Sequence, residues 1–284
     1  MSEVVNKAKA RAKYRRPLND RQLRVLGWLI KMRFSTSKQI ATHLGKSYHK
    51  AIQSKLQILE AQELIGKRYD KSYKLAGRAA EYYVTPKGAR MFATARDMTI
   101  HPNAMKALYK NKTVSSDFLL HCVHVADTVL KLRAVYDAKK LLIHSPNELR
   151  HTDYLPEWSP DLFMGYKTSD AAHYAFLDVW DGSKPFFVTV RKTRNYVNFK
   201  DSGDWQEDAP FPAILAVCED SYVQKKLNRQ MKRILTDTWD DDLIFATTTK
   251  QQLYQATKPT DKIWLKIEMD GDPGKATLRS LFVV

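Results

Sequence analysis

At 284 residues the chain is long enough for two domains, and its 44% hydrophobic content supports packed cores. Its two cysteines, Cys122 and Cys218, are too few for a disulfide framework, and no apolar run approaches the roughly 20 residues of a membrane span. The N-terminus has no apolar signal core, so we expect a cytoplasmic protein that does not bind membranes.

The positive charge is concentrated at the start of the chain. Residues 1–100 contain 22 Lys and Arg against 7 Asp and Glu, a net of +15 out of a total of +16. A field of one sign confined to one part of a chain is typical of a protein that binds a polyanion. The alternative is a basic surface that only keeps the protein soluble, which does not require the charge to lie in one third of the chain.

Residues 1–17 are basic and contain almost no large apolar side chain, which predicts a flexible arm. Such arms can enter a minor groove or lie along phosphates, which makes Arg15 and Arg16 candidate DNA contacts. The alternative is a tail that is simply solvated.

Residues 18–96 have the apolar periodicity of three helices, followed by a strand, a basic loop, a second strand and a fourth helix. The predicted caps and turns of the helices are Asn19 or Asp20, Ser35-Thr36, Gly45 and Ser47. This order is typical of a winged helix-turn-helix, in which the third helix enters the major groove and the wing lies on the DNA backbone. A small helical domain that binds protein is the alternative.

The candidate DNA contacts follow from that order. The outer face of the third helix carries Tyr48, His49, Lys50, Gln53, Ser54 and Lys55. The wing between the strands at Leu64-Ile65 and Tyr82–Thr85 carries Lys67, Arg68, Lys71 and Lys74. Side chains on such a helix can reach base edges and phosphates, whereas wing lysines reach phosphates.

Residues 97–116 are predicted to be a linker that can contain a short helix, and residues 117–284 a second domain that opens with a helix from Asp117 to about Asp137. Strands and helices then alternate, which predicts a mixed α/β sheet with helices on its faces. The predicted strands are Lys140–Ile143, Pro160–Met164, Tyr174–Val179, Phe211–Cys218 and Leu243–Thr247, and the later helices are Ser183–Lys200, Tyr222–Leu235 and Gln251–Gln255. Phe186–Val190 also has strand propensity, but the cap at Ser183 favours a helix.

Five short motifs, together with the helical start, resemble the replication-relaxation family of plasmid and mobile-element proteins over most of residues 18–235. The motifs are Tyr82–Arg90 (YYVTPKGAR), His121-x-x-x-Val125-x-Asp127, Pro160-Asp161, Phe176-Leu177-Asp178 with Gly182, and Phe211-Pro212. The resemblance implies an α+β chain, with an N-terminal winged helix-turn-helix followed by a mixed α/β domain similar to the PD-(D/E)xK restriction-endonuclease fold. It also implies a role in plasmid replication or DNA transfer.

In that endonuclease fold, acids on two adjacent strands hold Mg²⁺ beside a lysine that stabilises negative charge. The resemblance places Asp161 and Asp178 at the acids, with Glu148 as a further ligand, although both aspartates can equally be strand-edge acids. Trp180 stands where the lysine is usual, two residues after Asp178. The cations that remain on the following helix are Lys184, Arg191 and Lys192. We therefore expect no nuclease activity and no cofactor; Mg²⁺ enters only if the domain is a nuclease.

A zinc site at His121, Cys122 and His124 lacks a second close pair of ligands, so these are expected to be ordinary helix residues. The leading prediction is a non-enzymatic protein that binds double-stranded DNA and assembles a replication, transfer (relaxosome) or regulatory complex. Its expected partners are DNA and a relaxase or replication protein, with the second domain as a scaffold or a homodimer surface. The alternatives are a metal-dependent nuclease that uses Asp161 and Asp178, and a transcriptional repressor whose second domain senses a ligand.

Overall fold

The computed structural model describes residues 17–45, 50–149, 155, 156, 158, 160–167, 171–205, 210–239 and 242–282. The chain divides into two compact units, Met1–Asp127 and Thr128–Val284. The predicted arm, including Arg15 and Arg16, lies outside the described residues except for its last position. None of the helices in the described ranges combines the length and the apolar character that a membrane span needs.

Over residues 18–96 the first unit has the predicted order of helices and strands, with two additions: the two-residue strand Ser35–Thr36 and a short helix in the wing. Its elements are α1 (Asp20–Met32), β1 (Ser35–Thr36), α2 (Ser37–His43), α3 (Lys50–Ala61), β2 (Ile65–Arg68), α4 (Lys71–Leu75), β3 (Glu81–Val84), α5 (Pro86–Ala95), α6 (Pro102–Tyr109) and the first part of α7 (Ser116–Val135). Three antiparallel strands form a small sheet in the order β1-β3-β2. The chain between the two wing strands was expected to be a loop, but it contains the short helix α4.

Polar caps decide where the first helices begin. Asn19, and not Asp20, caps α1: its side chain accepts from the backbone N–H of Gln22, and the Gln22 side chain accepts from the N–H of Asn19 in return. Thr36 and Gln39 form the same reciprocal box at the start of α2. Each box satisfies backbone donors that a helix start leaves without partners.

The motif Tyr82–Arg90 ends strand β3 and begins helix α5. The Thr85 hydroxyl accepts from the backbone N–H of Gly88 at 3.0 Å and donates to the carbonyl of Glu63 at 2.7 Å. A Cβ at Gly88 would overlap the carbonyl oxygen of Leu64, so only glycine fits where the first turn of α5 lies against the residue that precedes β2. The motif therefore fixes the packing of α5 on the sheet.

The prediction of a linker over residues 97–116 needs correction, because all of these residues belong to the first unit. They contain α6 and a 3-10 turn, Lys110–Lys112, and they bury Ala104, Leu108 and Asn111. Arg33 donates to the carbonyl of Ala107 at 3.2 Å and to the side-chain oxygen of Asn111 at 2.8 Å. The boundary between the two units accordingly falls inside α7, between Asp127 and Thr128.

The second unit is a mixed α/β sheet with helices, as the alternation of elements predicts. After α7 come β4 (Leu141–His144), α8 (Pro146–Leu149), β5 (Leu162–Lys167), β6 (Ala172–Trp180), α9 (Phe186–Asp201), β7 (Ala213–Cys218), α10 (Ser221–Thr238), β8 (Phe245–Thr249), α11 (Lys250–Gln255), β9 (Trp264–Lys266) and β10 (Gly274–Ala276). The described strands order as β10-β9-β8-β7-β6-β5-β4. β6, β7 and β8 are parallel, and their neighbours on both sides are antiparallel.

The core of this unit lies between the parallel strands and the crossover helices α9 and α10. Its fully buried members include Phe176, Tyr196, Leu227 and Phe245. Phe186–Val190 lies in a helix and not in a strand, as the sequence analysis preferred. The predicted cap is wrong, however, because the residue at the N-cap is Pro185, which provides no side-chain hydrogen bond, and not Ser183.

Candidate functional site

Helix α3 presents only part of its predicted DNA-binding face in the described structure. Ser54 is exposed and Lys55 is partly exposed, opposite the buried Ile52 and Leu56. The Gln53 amide is 3.4 Å from the Ser37 hydroxyl on α2, so this side chain already has one contact within the unit. The predicted contacts Tyr48 and His49 lie outside the described residues, as does the side chain of Lys50.

The wing is a helix-tipped hairpin that holds two lysines in solvent. Asp70 caps α4 by accepting from the backbone N–H groups of Ser72 at 2.8 Å and Tyr73 at 3.2 Å. Tyr73 is buried and ties the helix to the unit, whereas Lys71 and Lys74 are exposed. Both lysines remain available to an external anion.

Lys67 and Arg68 differ from the two lysines of α4. Lys67 is exposed, with its Nζ 3.6 Å from a carboxylate oxygen of Glu60. The Arg68 guanidinium donates to the backbone carbonyls of Lys112 at 3.1 Å and Val114 at 3.2 Å. Its role as a DNA contact stays a prediction, and the geometry adds a role within the unit, because these two bonds hold residues 112–114 beside the wing strand.

A further arginine of the wing, Arg78, pairs with the buried acid Glu81. Arg78 lies 3.2 Å from the carboxylate of Glu81, and its guanidinium is 4.5 Å from the centre of the Tyr73 ring. Burial raises the pKa of Glu81, with Tyr73 and Arg78 acting in the opposite direction. This pair stabilises the wing from within.

All of the net positive charge lies in the first unit. Residues 1–127 contain 25 Lys and Arg against 9 Asp and Glu, a net of +16, whereas residues 128–284 contain 22 of each and have no net charge. Several cations of the first unit are exposed or partly exposed and form no ion pair within its described residues. They include Arg21, Lys38, Lys55, Lys71, Lys74, Lys106, Lys110 and Lys112. Lys38 and the cations of residues 106–112 escaped the sequence analysis because the segment was taken for a linker and α2 was considered only for its apolar stripe.

The motif on α7 has a packing role. The Gln39 amide donates to the Asp127 carboxylate at 2.7 Å and to the carbonyl of Val123 at 2.9 Å. His121 and Cys122 are buried in the helix, and no group of three or more potential metal-binding side chains occurs in the described parts of the chain. The zinc interpretation gains no support from this geometry.

Asp161 and Asp178 are brought together in the second unit, as the resemblance implies. Asp161 precedes β5 and Asp178 lies on the adjacent β6, where Leu162 pairs with Leu177. The backbone N–H of Asp161 donates to Oδ1 of Asp178 at 3.0 Å, and the N–H of Val179 donates to Oδ2 of Asp161 at 2.8 Å. Each carboxylate thus anchors the other strand.

Helix α9 adds a cation and a phenol to the two acids. Lys192 Nζ lies 2.5 Å from Oδ1 of Asp178 and 3.9 Å from Oδ1 of Asp161. One turn later the Tyr196 hydroxyl donates to Oδ2 of Asp178 at 2.8 Å. Of the three cations that the sequence left open, Lys192 therefore takes the place beside the acids. Tyr196 was missed, although its spacing of four from Lys192 puts both on one helix face.

Burial shifts the pKa values of the groups in this cluster. The Asp178 side chain is only 3% exposed and that of Lys192 only 16%. Burial raises the pKa of Asp178, and the Lys192 ammonium opposes that rise. Burial alone would lower the pKa of Lys192, but the charges of Asp178 and Asp161 outweigh it and raise the pKa. The pKa of Tyr196 is raised by burial and by the same carboxylates, so the phenol stays protonated and donates.

The residues do not fit a magnesium site. Both oxygens of Asp178 already accept hydrogen bonds from protein donors, and Asp161 accepts from Val179. Glu148 accepts from the backbone N–H of Ser145 at 2.7 Å and from its hydroxyl at 3.0 Å, which caps a turn. Glu148 does not join the two aspartates in any metal-binding group of the described residues, so the geometry does not support the ligand role that the nuclease alternative gave it.

Comparison with known proteins places the chain in a family. A sequence model described as Replication-relaxation matches residues 26–214. Curated protein sequences give no match. The structure of restriction endonuclease FokI bound to DNA is similar at 12% identity and a TM-score of 0.28; the match covers 84% of this chain but only 45% of that one, and a likeness this weak says nothing about function. Because the sequence model covers well over half of its length, the chain belongs to the replication-relaxation family.

Proposed function

We propose that this protein binds double-stranded DNA through its first unit, in which residues 18–96 act as a winged helix-turn-helix. The single observation that carries the proposal is the confinement of the net charge of +16 to residues 1–127, beside a second unit of zero net charge. A polyanion that releases its counterions to such a surface gains affinity without any sequence readout.

The elements of the first unit support a division of roles. α3 follows α2 in the position of a recognition helix, with Ser54 and Lys55 on the side away from the core. On the proposed docking, that face enters the major groove and Lys50, Gln53 and Ser54 reach base edges or phosphates. Lys71 and Lys74 at the wing tip contact phosphates and fix the register.

The test compares two matched double variants in the full-length protein. Lys71→Ala with Lys74→Ala removes two exposed cations from the wing, and Lys225→Ala with Arg229→Ala removes two exposed cations from α10 of the neutral unit. Fluorescence anisotropy with a labelled duplex, across a series of salt concentrations, gives the slope of log affinity against log salt. The wing variant should reduce the slope by about 1.8, at about 0.9 per lost phosphate contact. Equal losses in both double variants would contradict the proposal.

The family points to the biological setting of this binding. The replication-relaxation assignment supports an accessory role on a plasmid or other mobile element, in a replication, transfer or regulatory complex. The second unit then serves as the scaffold for a relaxase or replication protein, or as a homodimer surface. DNase footprinting on the element's own origin and promoter separates the roles: protection at the origin supports the accessory role, and protection confined to the promoter supports a repressor.

A metal-dependent nuclease is the second candidate, because Lys192 lies beside both Asp161 and Asp178. The sequence analysis expected no activity because Trp180 stands where the lysine is usual. Lys192 provides a cation beside the acids, so this reason no longer holds. A different reason now argues against catalysis: protein donors occupy the oxygens of Asp178, and Glu148 is held by Ser145. A nicking assay in Mg²⁺ and in Mn²⁺ tests this candidate.

A further inference from the structure

We propose that the second unit binds a nucleoside monophosphate in a cavity at the C-terminal end of β6. The cavity has a volume of about 200 Å³ and is lined by the end of β6, residues 181–184, the first turn of α9 and the first turns of α10. In sheets with parallel strands, ligands commonly bind in the crevice outside the carboxyl ends of those strands. The inference is independent of DNA binding by the first unit.

Two lysines on the cavity wall provide the charge for a phosphate group. Lys184 lies in the loop after β6, and Lys226 lies on α10, where its Nζ sits 4.1 Å from the centre of the Phe186 ring. That cation–π contact holds the ammonium against the wall. α9 begins beside them at Phe186 and has no side-chain cap, so the backbone N–H groups of its first turn add positive potential.

Aromatic side chains on the same wall fit a nucleobase. Tyr222 is 72% exposed and precedes Lys226 by four residues, so the two share one face of α10. Phe186 and Trp180 complete the apolar part of the lining. Base stacking on exposed aromatic rings beside cations is the common way in which proteins hold single nucleotides.

The charge balance of the wall selects among anionic ligands. Asp181 is the carboxylate of the described lining, against the two lysines, so the net charge of +1 suits one phosphate better than a polyphosphate chain. A carboxylate also disfavours bare inorganic phosphate, and because carboxylate oxygens accept from more than one donor, Asp181 can bond a sugar hydroxyl while it accepts from the backbone N–H of Ser183 at 3.1 Å. A nucleoside monophosphate, either free or as the 5′ end of a DNA strand, combines these three requirements.

The test is isothermal titration calorimetry of the full-length protein with dAMP, dTMP and inorganic phosphate. We expect both mononucleotides to bind and inorganic phosphate to bind at least about tenfold more weakly, because base stacking contributes to affinity. Lys226→Ala should weaken mononucleotide binding about tenfold or more through loss of a charge-assisted bond. Tyr222→Ala should also weaken it, by about fivefold or more through loss of stacking.

Lys225→Ala is the matched control, since Lys225 is exposed on the same helix and is not part of the lining. It should bind mononucleotides like the unaltered protein, and circular dichroism melts should show that all three variants fold. No binding of either mononucleotide at millimolar concentration overturns the inference. Equal affinity for inorganic phosphate overturns it as well, as do equal losses in Lys225→Ala and Lys226→Ala.

A further arm distinguishes the two sources of the nucleotide. A 5′-phosphorylated single-stranded decamer is bound to the protein and then challenged with dAMP. Displacement by dAMP that disappears in Lys226→Ala identifies the end of a DNA strand as a ligand of the cavity. Binding of dAMP that leaves the decamer in place identifies a free nucleotide. Both results support the cavity as a nucleotide site, whereas absence of dAMP binding overturns it.

Discussion

The two units use lysine in opposite ways. In the first unit, Lys71 and Lys74 stand in solvent, form no ion pair within the described residues and add to a net charge of +16. In the second, Lys192 is buried between Asp161 and Asp178, within a unit of no net charge. A buried ammonium is stable only when paired, because its loss of hydration has to be offset by nearby negative charge. The exposed lysines keep their hydration until an external polyanion replaces it, which is why the proposed DNA contacts lie in the first unit.

The largest expected effect follows from that charge difference. If about 6–10 phosphates are contacted, the affinity of the full-length protein for duplex DNA should fall about 10³–10⁵-fold between 50 and 200 mM salt. Alanine at the four positions Lys38, Lys55, Lys71 and Lys74 should flatten the slope by about 3.6, at about 0.9 per contact. Anisotropy titrations at several salt concentrations measure both quantities.

The control for this series is a quadruple variant of the neutral unit. It replaces four exposed cations, Lys139, Lys225, Arg229 and Lys275, with alanine and so removes the same formal charge. Its slope should stay close to that of the unaltered protein. A slope as flat as that of the first quadruple variant would mean that total charge, and not its location, drives binding.

The elements of both units follow largely from their sequence patterns, because caps and apolar spacing act locally. The pattern failed where local signals are weak. α6 is anchored by Arg33, which is distant in sequence, and its small buried residues, such as Ala104, resemble those of a loop. β9 and β10 have only three residues each and gain their order from neighbouring strands. Short elements of this kind depend on tertiary contacts that no periodicity records.

The candidate site residues also divide into those that the sequence identifies and those that depend on tertiary packing. The resemblance identified Asp161 and Asp178, but the sequence left three cations open because the choice depends on how α9 packs across β6. Lys192 is favoured since it lies on the inner side of the helix together with Tyr196, whereas Arg191 is exposed. Likewise, Arg68 resembles a DNA contact in sequence, and only the packing of residues 110–114 beside it reveals an internal role.

The next largest effect is expected on stability. Lys192→Met leaves the buried Asp178 carboxylate without its cation, so unfolding of the second unit should become easier by about 3–5 kcal/mol. Lys225→Met, at an exposed position, should change stability by no more than about 0.5 kcal/mol. Urea unfolding followed by circular dichroism measures the difference.

A second substitution tests whether the loss of stability comes from the unpaired charge of Asp178. Asp178→Asn removes the charge; its oxygen can accept from the backbone N–H of Asp161 while its amide donates to the Tyr196 hydroxyl, so Lys192→Met with Asp178→Asn should recover much of the stability lost in Lys192→Met. No recovery in the double variant would mean that the loss comes from packing of the lysine stem. A change below about 1 kcal/mol in Lys192→Met itself would contradict the buried pair.

A smaller effect on stability should distinguish a cation that bonds within the first unit, Arg68, from an exposed one, Lys71. Arg68→Ala should lower the stability of the unit by about 1–3 kcal/mol, because the carbonyls of Lys112 and Val114 lose their donor. Lys71→Ala should leave stability unchanged and reduce the salt slope of DNA binding by about 0.9. Thermal melts and anisotropy on both variants test the contrast. An unchanged melting temperature in Arg68→Ala, combined with a flattened slope, would support a DNA contact and not an internal role for Arg68.

The smallest expected effect is on DNA cleavage, for which we expect none. A metal ion would have to displace Lys192 or Tyr196 from Asp178, because their donors occupy its carboxylate oxygens. No third acid of the described residues joins the two aspartates, so the ligand set stays short of what Mg²⁺ requires. Lys192 supplies the cation missing at Trp180, but as the partner of a buried acid it is held away from any role as a free charge.

Supercoiled plasmid and linear DNA are incubated with the protein in Mg²⁺ and in Mn²⁺, beside an Asp161→Asn, Asp178→Asn variant that preserves side-chain size. Nicking by the unaltered protein that disappears in this variant would make the acid pair catalytic. Intact plasmid in both samples, with equal DNA affinity, would leave Asp161, Asp178 and Lys192 as the element that holds α9 on the sheet.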